Sequence, residues 1–211
     1  MGQGKSSTAE RHRLREKAIE AFAGLVHPDA NDTSGLLQET EKRLQRFFHA
    51  LSLDGTSIQQ EVFWGKVAPS LARFGLDLTD KLFKLLINGE ATMDFDSFLI
   101  AAYLLSKASR KDDKLKCVFR IFDASGSGYV KKSEFKAAYF MVMRGNEYGG
   151  AEGPDEAELK PLAKCIVDSA MLIYDGNQRG KISFDEWCHF AATDRGVQSL
   201  IAAMSAGSFD V

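Results

Sequence analysis

Twice in its second half the chain runs a helix-spaced apolar face into a twelve-residue polar segment and out into another apolar face. In the first copy Leu115, Val118, Phe119 and Phe122 lie eight, five, four and one residues before Asp123. The segment 123–134, DASGSGYVKKSE, follows, and Phe135, Ala138, Tyr139 and Val142 resume the helical spacing. In the second copy Val167, Ala170, Met171 and Tyr174 hold the same four offsets before Asp175. Trp187 and Phe190 then follow Glu186 as Phe135 and Ala138 follow Glu134. Six shared offsets about loops of equal length mark an internal repeat. A repeat of helix, loop and helix points to an all-α chain.

Both units resemble EF-hands, helix–loop–helix pairs around a twelve-residue calcium loop, and what that resemblance implies can be placed residue by residue. Calcium takes six to eight hard oxygens, supplied from loop positions 1, 3, 5, 7, 9 and 12, with a glycine at position 6 for the turn. In segment 123–134 the resemblance puts Asp123, Ser125 and Ser127 at positions 1, 3 and 5, the Tyr129 carbonyl at 7 and Glu134 at 12, with Gly128 as the turn. In segment 175–186 (DGNQRGKISFDE) it puts Asp175 and Asn177 at 1 and 3, the Lys181 carbonyl at 7 and Glu186 at 12, with Gly180 as the turn. Val130 and Ile182 fall at position 8, where paired EF-hands form a short antiparallel strand contact. Both loops depart from the strong pattern. The first has only two carboxylates and carries Lys131 at position 9; the second carries Arg179 at position 5. Weak calcium sites are expected, on the order of 10⁻⁶ to 10⁻⁴ M, with the Asp123 loop the stronger.

Two fainter copies precede them. Leu44, Phe47, Phe48 and Leu51 fill all four offsets before SLDGTSIQQEVF, and Leu82, Phe83 and Leu86 fill three before INGEATMDFDSF, the fourth falling on Thr79. Ile58 and Met93 take the position-8 places. From the last apolar residue of the entering helix to position 8 is seven steps here, against eight in the second half, so each loop is one residue short. Position 12 falls on Val62 and Ser97, and neither is a bidentate closer. These copies are read as EF-hands without metal. The organisation expected is an N-terminal extension at 1–35 with a helix, a metal-free EF-hand pair at 36–108, and a calcium-binding pair at 109–211 with a tail helix. The position-8 residues stand 35, 37 and 52 apart, and the extra residues of the last interval lie in an acidic, Gly-rich stretch at 144–158. It is either a tolerated surface insertion or an element that touches a partner.

The first residues, MGQGKS, fit the N-myristoylation pattern at Gly2. One acyl chain holds a membrane only marginally and needs a second signal, which Lys5, Arg11, Arg13, Arg15 and Lys17 are expected to supply. Residues 8–26 are expected to form an amphipathic helix through Leu14, Ala18, Ile19, Phe22, Leu25 and Val26, lying on a membrane or packed on the body of the protein. A net charge of −2 gives no reason to expect nucleic acid. Cys117, Cys165 and Cys188 form no CxxC and are read as reduced thiols in or near the core, so the chain is expected to be cytoplasmic, with peripheral membrane contact. His12, His27, His49 and His189 share no ligand spacing and no nucleophile motif occurs, so no enzyme is expected.

The four-copy layout with a silent first pair, together with the Gly2 signal, is similar to the neuronal calcium sensor, calcineurin B and calaxin-like branch of the EF-hand superfamily. That similarity implies a calcium sensor or regulatory subunit. Its C-terminal groove, from Phe119, Phe122, Phe135, Tyr139, Met141, Met143 and Met171, would take a partner's amphipathic helix or the chain's own tail (Val197, Leu200, Ile201, Met204, Phe209). A calcium-independent scaffold or cytoskeletal adaptor is the alternative. A calcium buffer suits such thin sites less well.

Overall fold

The computed structural model describes residues 7–26, 34–145 and 155–206. The Gly2 signal, Lys5, residues 28–33, the 146–154 part of the acidic stretch and Phe209 lie outside them. In chain order the described residues form helices α1 (Thr8–Val26), α2 (Ser34–Leu51) and α3 (Gln60–Val67), then a short 3-10 helix, Pro69–Phe74. Helices α4 (Gly75–Leu86), α5 (Phe95–Leu104) and α6 (Lys111–Phe122) follow. The second half continues with strand β1 (Tyr129–Lys131), α7 (Lys132–Arg144), α8 (Glu156–Tyr174), strand β2 (Lys181–Ser183), α9 (Phe184–Thr193) and α10 (Arg195–Met204). The fold is all-α apart from the two short strands.

The strands pair antiparallel with Val130 opposite Ile182, the two residues that the loop count put at position 8. In the first half the counterpart is a single bridge between Ile58 and Met93. It is made by Ile58 N to Met93 O at 3.0 Å and the reverse bond at 3.3 Å. All four side chains are fully buried, so each contact fixes the spacing of two loops and adds to the core at once. Thr79, the polar break in the repeated offsets, is also buried; its hydroxyl donates to the Gly75 carbonyl one turn back, which lets a polar group keep a core position.

One continuous apolar core runs from Leu14 to Met204 and joins the two halves. Around it the repeated aromatics interlock: Phe122 meets Phe135 and Trp187 edge-on or tilted, at 5.6 and 5.5 Å, and Phe48 meets Phe95 and Phe98 at 5.5 and 5.6 Å. Each fully buried Phe contributes roughly 1.5–3 kcal/mol by leaving water. Helix α1 lies against α2 and α5 with Leu14, Ala18, Ile19 and Phe22 buried, while Leu25 stays exposed. Its apolar face is therefore used inside the molecule. Three of its basic residues are used there too. Arg11 donates to Leu86 O and Ser97 Oγ, Arg15 pairs with Asp96 and Glu41, and Lys17 Nζ reaches Asp113 Oδ2 at 2.7 Å. Asp113 is buried and also accepts the Tyr103 hydroxyl at 2.8 Å. Burial opposes its charge, but those two donors outweigh it and hold the carboxyl below its usual range.

The cysteines divide. Cys117 is buried, and burial pushes its thiol up to about 11; Cys188 is half-buried, and Cys165 is exposed on the outer face of α8. The reading of all three as core or near-core thiols therefore fails at Cys165. Its helix turns Val167, Ala170 and Met171 inward and leaves Cys165 among Lys164, Ser169 and Leu172 on the far side.

Gly145, just after α7, sits so close to Phe74 that an added Cβ would overlap both its ring and its Cα. Gly145→Ala is expected to lower stability by about 1–3 kcal/mol through overpacking. A thermal melt would show it as about 2–4 °C per kcal/mol for a chain of this size. An unchanged midpoint would mean that α7 and the Phe74 turn move apart freely.

Candidate metal-binding loops

Helix α6 ends at Phe122 and α7 begins at Lys132, so the first loop is a short bridge between two buried helix faces. Asp123, buried at its start, has Oδ1 bonded to Ser127 N at 3.0 Å and Oδ2 to Gly128 N at 2.8 Å. Gly128 has φ +79, where a side chain is disfavoured, which is what the turn at position 6 requires. Glu134 closes the loop from the far side. Its Oε1 accepts from Ser125 N at 2.9 Å, and its Oε2 accepts from Lys131 N at 3.0 Å. Burial works against the Glu134 charge, yet the Lys131 and Ser125 donors hold its carboxyl below the usual range. The Ser127 hydroxyl donates to the Tyr129 carbonyl at 2.9 Å, and Lys131 Nζ touches Ser125 Oγ at 3.3 Å.

Asp123, Ser125, Ser127, Tyr129 and Glu134 are thus gathered in one hydrogen-bonded loop. With Glu134 bidentate they offer six hard oxygens, the lower end of what calcium takes. The residues fit the ion.

The second loop repeats the frame with different contents. Asp175, also buried, accepts from Arg179 N at 3.0 Å and from Gly180 N at 2.7 Å, and Gly180 has φ +71. Glu186 Oε2 accepts from Ser183 N at 2.7 Å and Ser183 Oγ at 2.8 Å. The Ser183 amide, then its hydroxyl, and more weakly Arg179, hold the Glu186 carboxyl below its usual range. Asn177 is exposed at position 3, and Lys181 lies in β2 with its Nζ 4.1 Å from the centre of the Tyr129 ring. Arg179, at position 5, puts its NH2 3.3 Å from Glu186 Oε2 and 3.5 Å from Oε1. The two loops therefore share a backbone and differ in what faces the closing glutamate.

Both closing glutamates are the third residue of the helix that leaves the loop, and each bonds back to the amide just before that helix. They serve as helix caps as well as loop closers. Ser183, at position 9 of the second loop, was not among the residues picked from the sequence, although the same count reaches it.

In the first half the places counted as position 1 are held by Leu51 and Leu86. The 52–57 turn is closed instead by Asp54, which accepts from the amides of Thr56 and Ser57 at 2.8 and 2.9 Å. In the other turn Arg11 reaches from α1 to the two counted ends, Leu86 O at 3.1 Å and Ser97 Oγ at 2.8 Å. No local signal announces Arg11, because its partners lie 75 and 86 residues away. Among the described residues no three His, Cys, Asp or Glu side chains converge, so the Asp123 loop depends on hydroxyl and carbonyl oxygens to complete its set.

The seven sequence-picked groove residues lie inward, all but Met141 buried. Helix α10 packs on α6 and α7, which carry all of them but Met171, and on α9 and the 3-10 helix, with Val197, Leu200, Ala203 and Met204 buried. Asp194 joins it to α7: one oxygen caps α10 at Val197 N (2.8 Å), and the other accepts the Tyr139 hydroxyl at 2.6 Å. The tail is fixed at its other end by Ser70 Oγ to Ala203 O at 2.9 Å and by Lys114 Nζ to Ser205 Oγ at 2.8 Å.

Comparison with known proteins agrees with this geometry. Residues 112–192 match the family model described as an EF-hand domain pair. A recoverin family protein of Dictyostelium discoideum is 31% identical over 121 residues, covering 53% of each chain, so this chain spans about half the length of that relative. The type 1 calcineurin B chain of the same organism is 26% identical, over 81% of this chain and 88% of its own. The type 2 calcineurin B chain of Mus musculus is 27% identical, over 82% and 90%.

Proposed function

We propose, from this chain's membership of the EF-hand superfamily in the branch of the recoverin-like and calcineurin B-like proteins, that it is a calcium-operated regulatory subunit whose tail helix α10 yields its groove to a partner's amphipathic helix. The chain is a calcium-binding protein of that branch; the release of α10 and the partner are the proposal. The observation that carries it is the link from Tyr139 to Asp194, because it joins α7, which holds Glu134 in its first turn, to the cap of α10.

Asp123, Ser125, Ser127, the Tyr129 carbonyl and Glu134 would hold the ion. When bound it supplies a divalent charge between the end of α6 and the start of α7. Glu134 is rigidly part of the first turn of α7, and Phe135 beside it packs on Phe122 and Phe190 at 5.6 and 4.9 Å. One turn further, Tyr139 packs on Phe190 and bonds Asp194. A small rotation of α7 therefore strains the Tyr139–Asp194 bond and the seat of α10 together. Packed helices switch between discrete arrangements rather than deforming smoothly. A vacated groove lined by Phe, Tyr and Met suits a helix with anchors at i, i+3, i+4 and i+7.

The calcineurin B relatives are, by name, subunits and so parts of larger assemblies, which favours a protein target. No catalytic role belongs to this reading, and neither does nucleic acid. Cytoplasmic residence and an acyl group on Gly2 belong to it. Arg11, Arg15 and Lys17 are paired within the molecule, so any membrane contact rests mainly on the acyl chain.

Titration with calcium, with a chelator control, tests the reading through the fluorescence of a hydrophobic dye and through binding of an amphipathic helical peptide. Both signals are expected to rise with calcium. Equal peptide affinity in calcium and chelator would favour a calcium-independent scaffold instead, since a ligand without preference between two states shifts neither. The bracing of α10 by Ser70 of the first half is the feature that suits that second reading.

A further inference from the structure

The two C-terminal loops have the same length, the same glycine turn and the same closing glutamate, yet in only one does a guanidinium face that glutamate. In the first loop the lysine at position 9, Lys131, touches a serine hydroxyl and leaves the Glu134 oxygens to backbone amides. In the second, the guanidinium of Arg179 stands in front of both Glu186 oxygens, at 3.3 and 3.5 Å. Bidentate closure needs those two oxygens together. Position 5 meanwhile offers a cation where an oxygen ligand belongs.

The guanidinium is also held from a second side. Its central carbon lies 5.4 Å from the centre of the Tyr129 ring, which reaches across the strand pair from the first loop. Lys181 approaches the same ring. The Arg179 amide is tied to Asp175 Oδ1, so the backbone that carries the side chain is fixed as well. An exposed ion pair by itself contributes little. Here three restraints, namely Glu186, the Tyr129 face and the Asp175-bound amide, hold one cation over one carboxylate.

We propose that Arg179 is a tethered cation that stands in for the metal at Glu186 and keeps the Asp175 loop free of calcium under conditions that load the Asp123 loop. The EF-hand pair is then a one-ion device. The second loop gives the first its strand partner without taking an ion of its own. The proposal rests on the reading of the Asp123 loop as the working site, and its test separates the two.

The test is calorimetric calcium titration, in millimolar magnesium, of the full chain and of Arg179→Asp, each with and without Glu134→Gln or Glu186→Gln. The wild type is expected to bind one ion, lost with Glu134→Gln and kept with Glu186→Gln. Arg179→Asp removes the cation and supplies an oxygen, and it is expected to bind two, the second lost with Glu186→Gln. Its second site should be tighter than any residual wild-type binding there by on the order of tenfold or more. Arg179→Asn, which supplies an oxygen without a charge, repeats the test should the aspartate variant lose helix content. Two ions in the wild type, or one ion in both position-179 variants, would overturn the proposal. Should the wild type bind none, the Asp123 reading falls. The Arg179 proposal then stands if Arg179→Asp gains one ion dependent on Glu186, and falls if it gains none.

Discussion

Glu134→Gln is expected to weaken calcium binding at the Asp123 loop on the order of a hundredfold, which is about 2.7 kcal/mol. Two properties of the site make the loss that large. The loop has only two carboxylates, so this substitution removes half of its formal negative charge, and Gln cannot close the site with two equivalent oxygens. The substitution should leave the fold alone. Glu134 also caps α7 through the Lys131 amide, and a glutamine side chain serves the same box. Trp187, buried against Phe119 and Phe122, gives an optical readout of the calcium titration, best taken in a Trp64→Phe background so that one indole reports. A normal melt with a calcium transition moved by two decades is the expected pair of results. Unchanged affinity would place the working site elsewhere.

Leu200→Asp is expected to expel α10 from its groove and to make dye binding independent of calcium. Leu200 is fully buried in the face that α10 presents to the rest of the core. A carboxylate there loses the transfer energy of the leucine and gains no partner, so undocking, at a cost of about 3–5 kcal/mol, is the cheaper outcome. Helices α6, α7 and α9 would remain, because their own aromatics still pack on one another, as Phe135 does on Phe122 and Phe190. The variant should therefore bind dye in chelator as strongly as in calcium and take up the helical peptide in either condition. A variant still calcium-dependent, with the wild-type amplitude, would mean that something other than α10 covers the apolar face.

The four copies of the repeat were legible because each of their parts acts over a few residues. Apolar spacing of three and four sets a helix face, a glycine at position 6 sets the turn in the second pair, and a residue count sets which side chains meet at position 8. The count that put Ile58 and Met93 at position 8 rested on apolar offsets alone, four in one copy and three in the other, and the backbone bonds fall on those residues. That Asp123, Ser125, Ser127, Tyr129 and Glu134 gather in one loop was legible for the same reason, since all lie within twelve positions. Reading Cys165 as near-core failed because periodicity says that a face is apolar without saying which neighbour covers it. The outer side of α8, with Cys165, Leu172 and Ile173, remains exposed.

By itself, then, the sequence determined the helix–loop–helix repeat, the two loops with a closing glutamate, and the Leu51 and Leu86 that stand where the other two copies carry an aspartate. The tertiary structure decided where the long side chains and the tail go. Arg11 crosses 75 and 86 residues to Leu86 and Ser97, Ser70 crosses 133 to Ala203, and Arg179 turns onto Glu186 and Tyr129. The physical reason is one of range. Propensity, turn geometry and ligand spacing are fixed within one or two helical turns, whereas the choice between partners distant in sequence follows from which helix faces the packed core brings together.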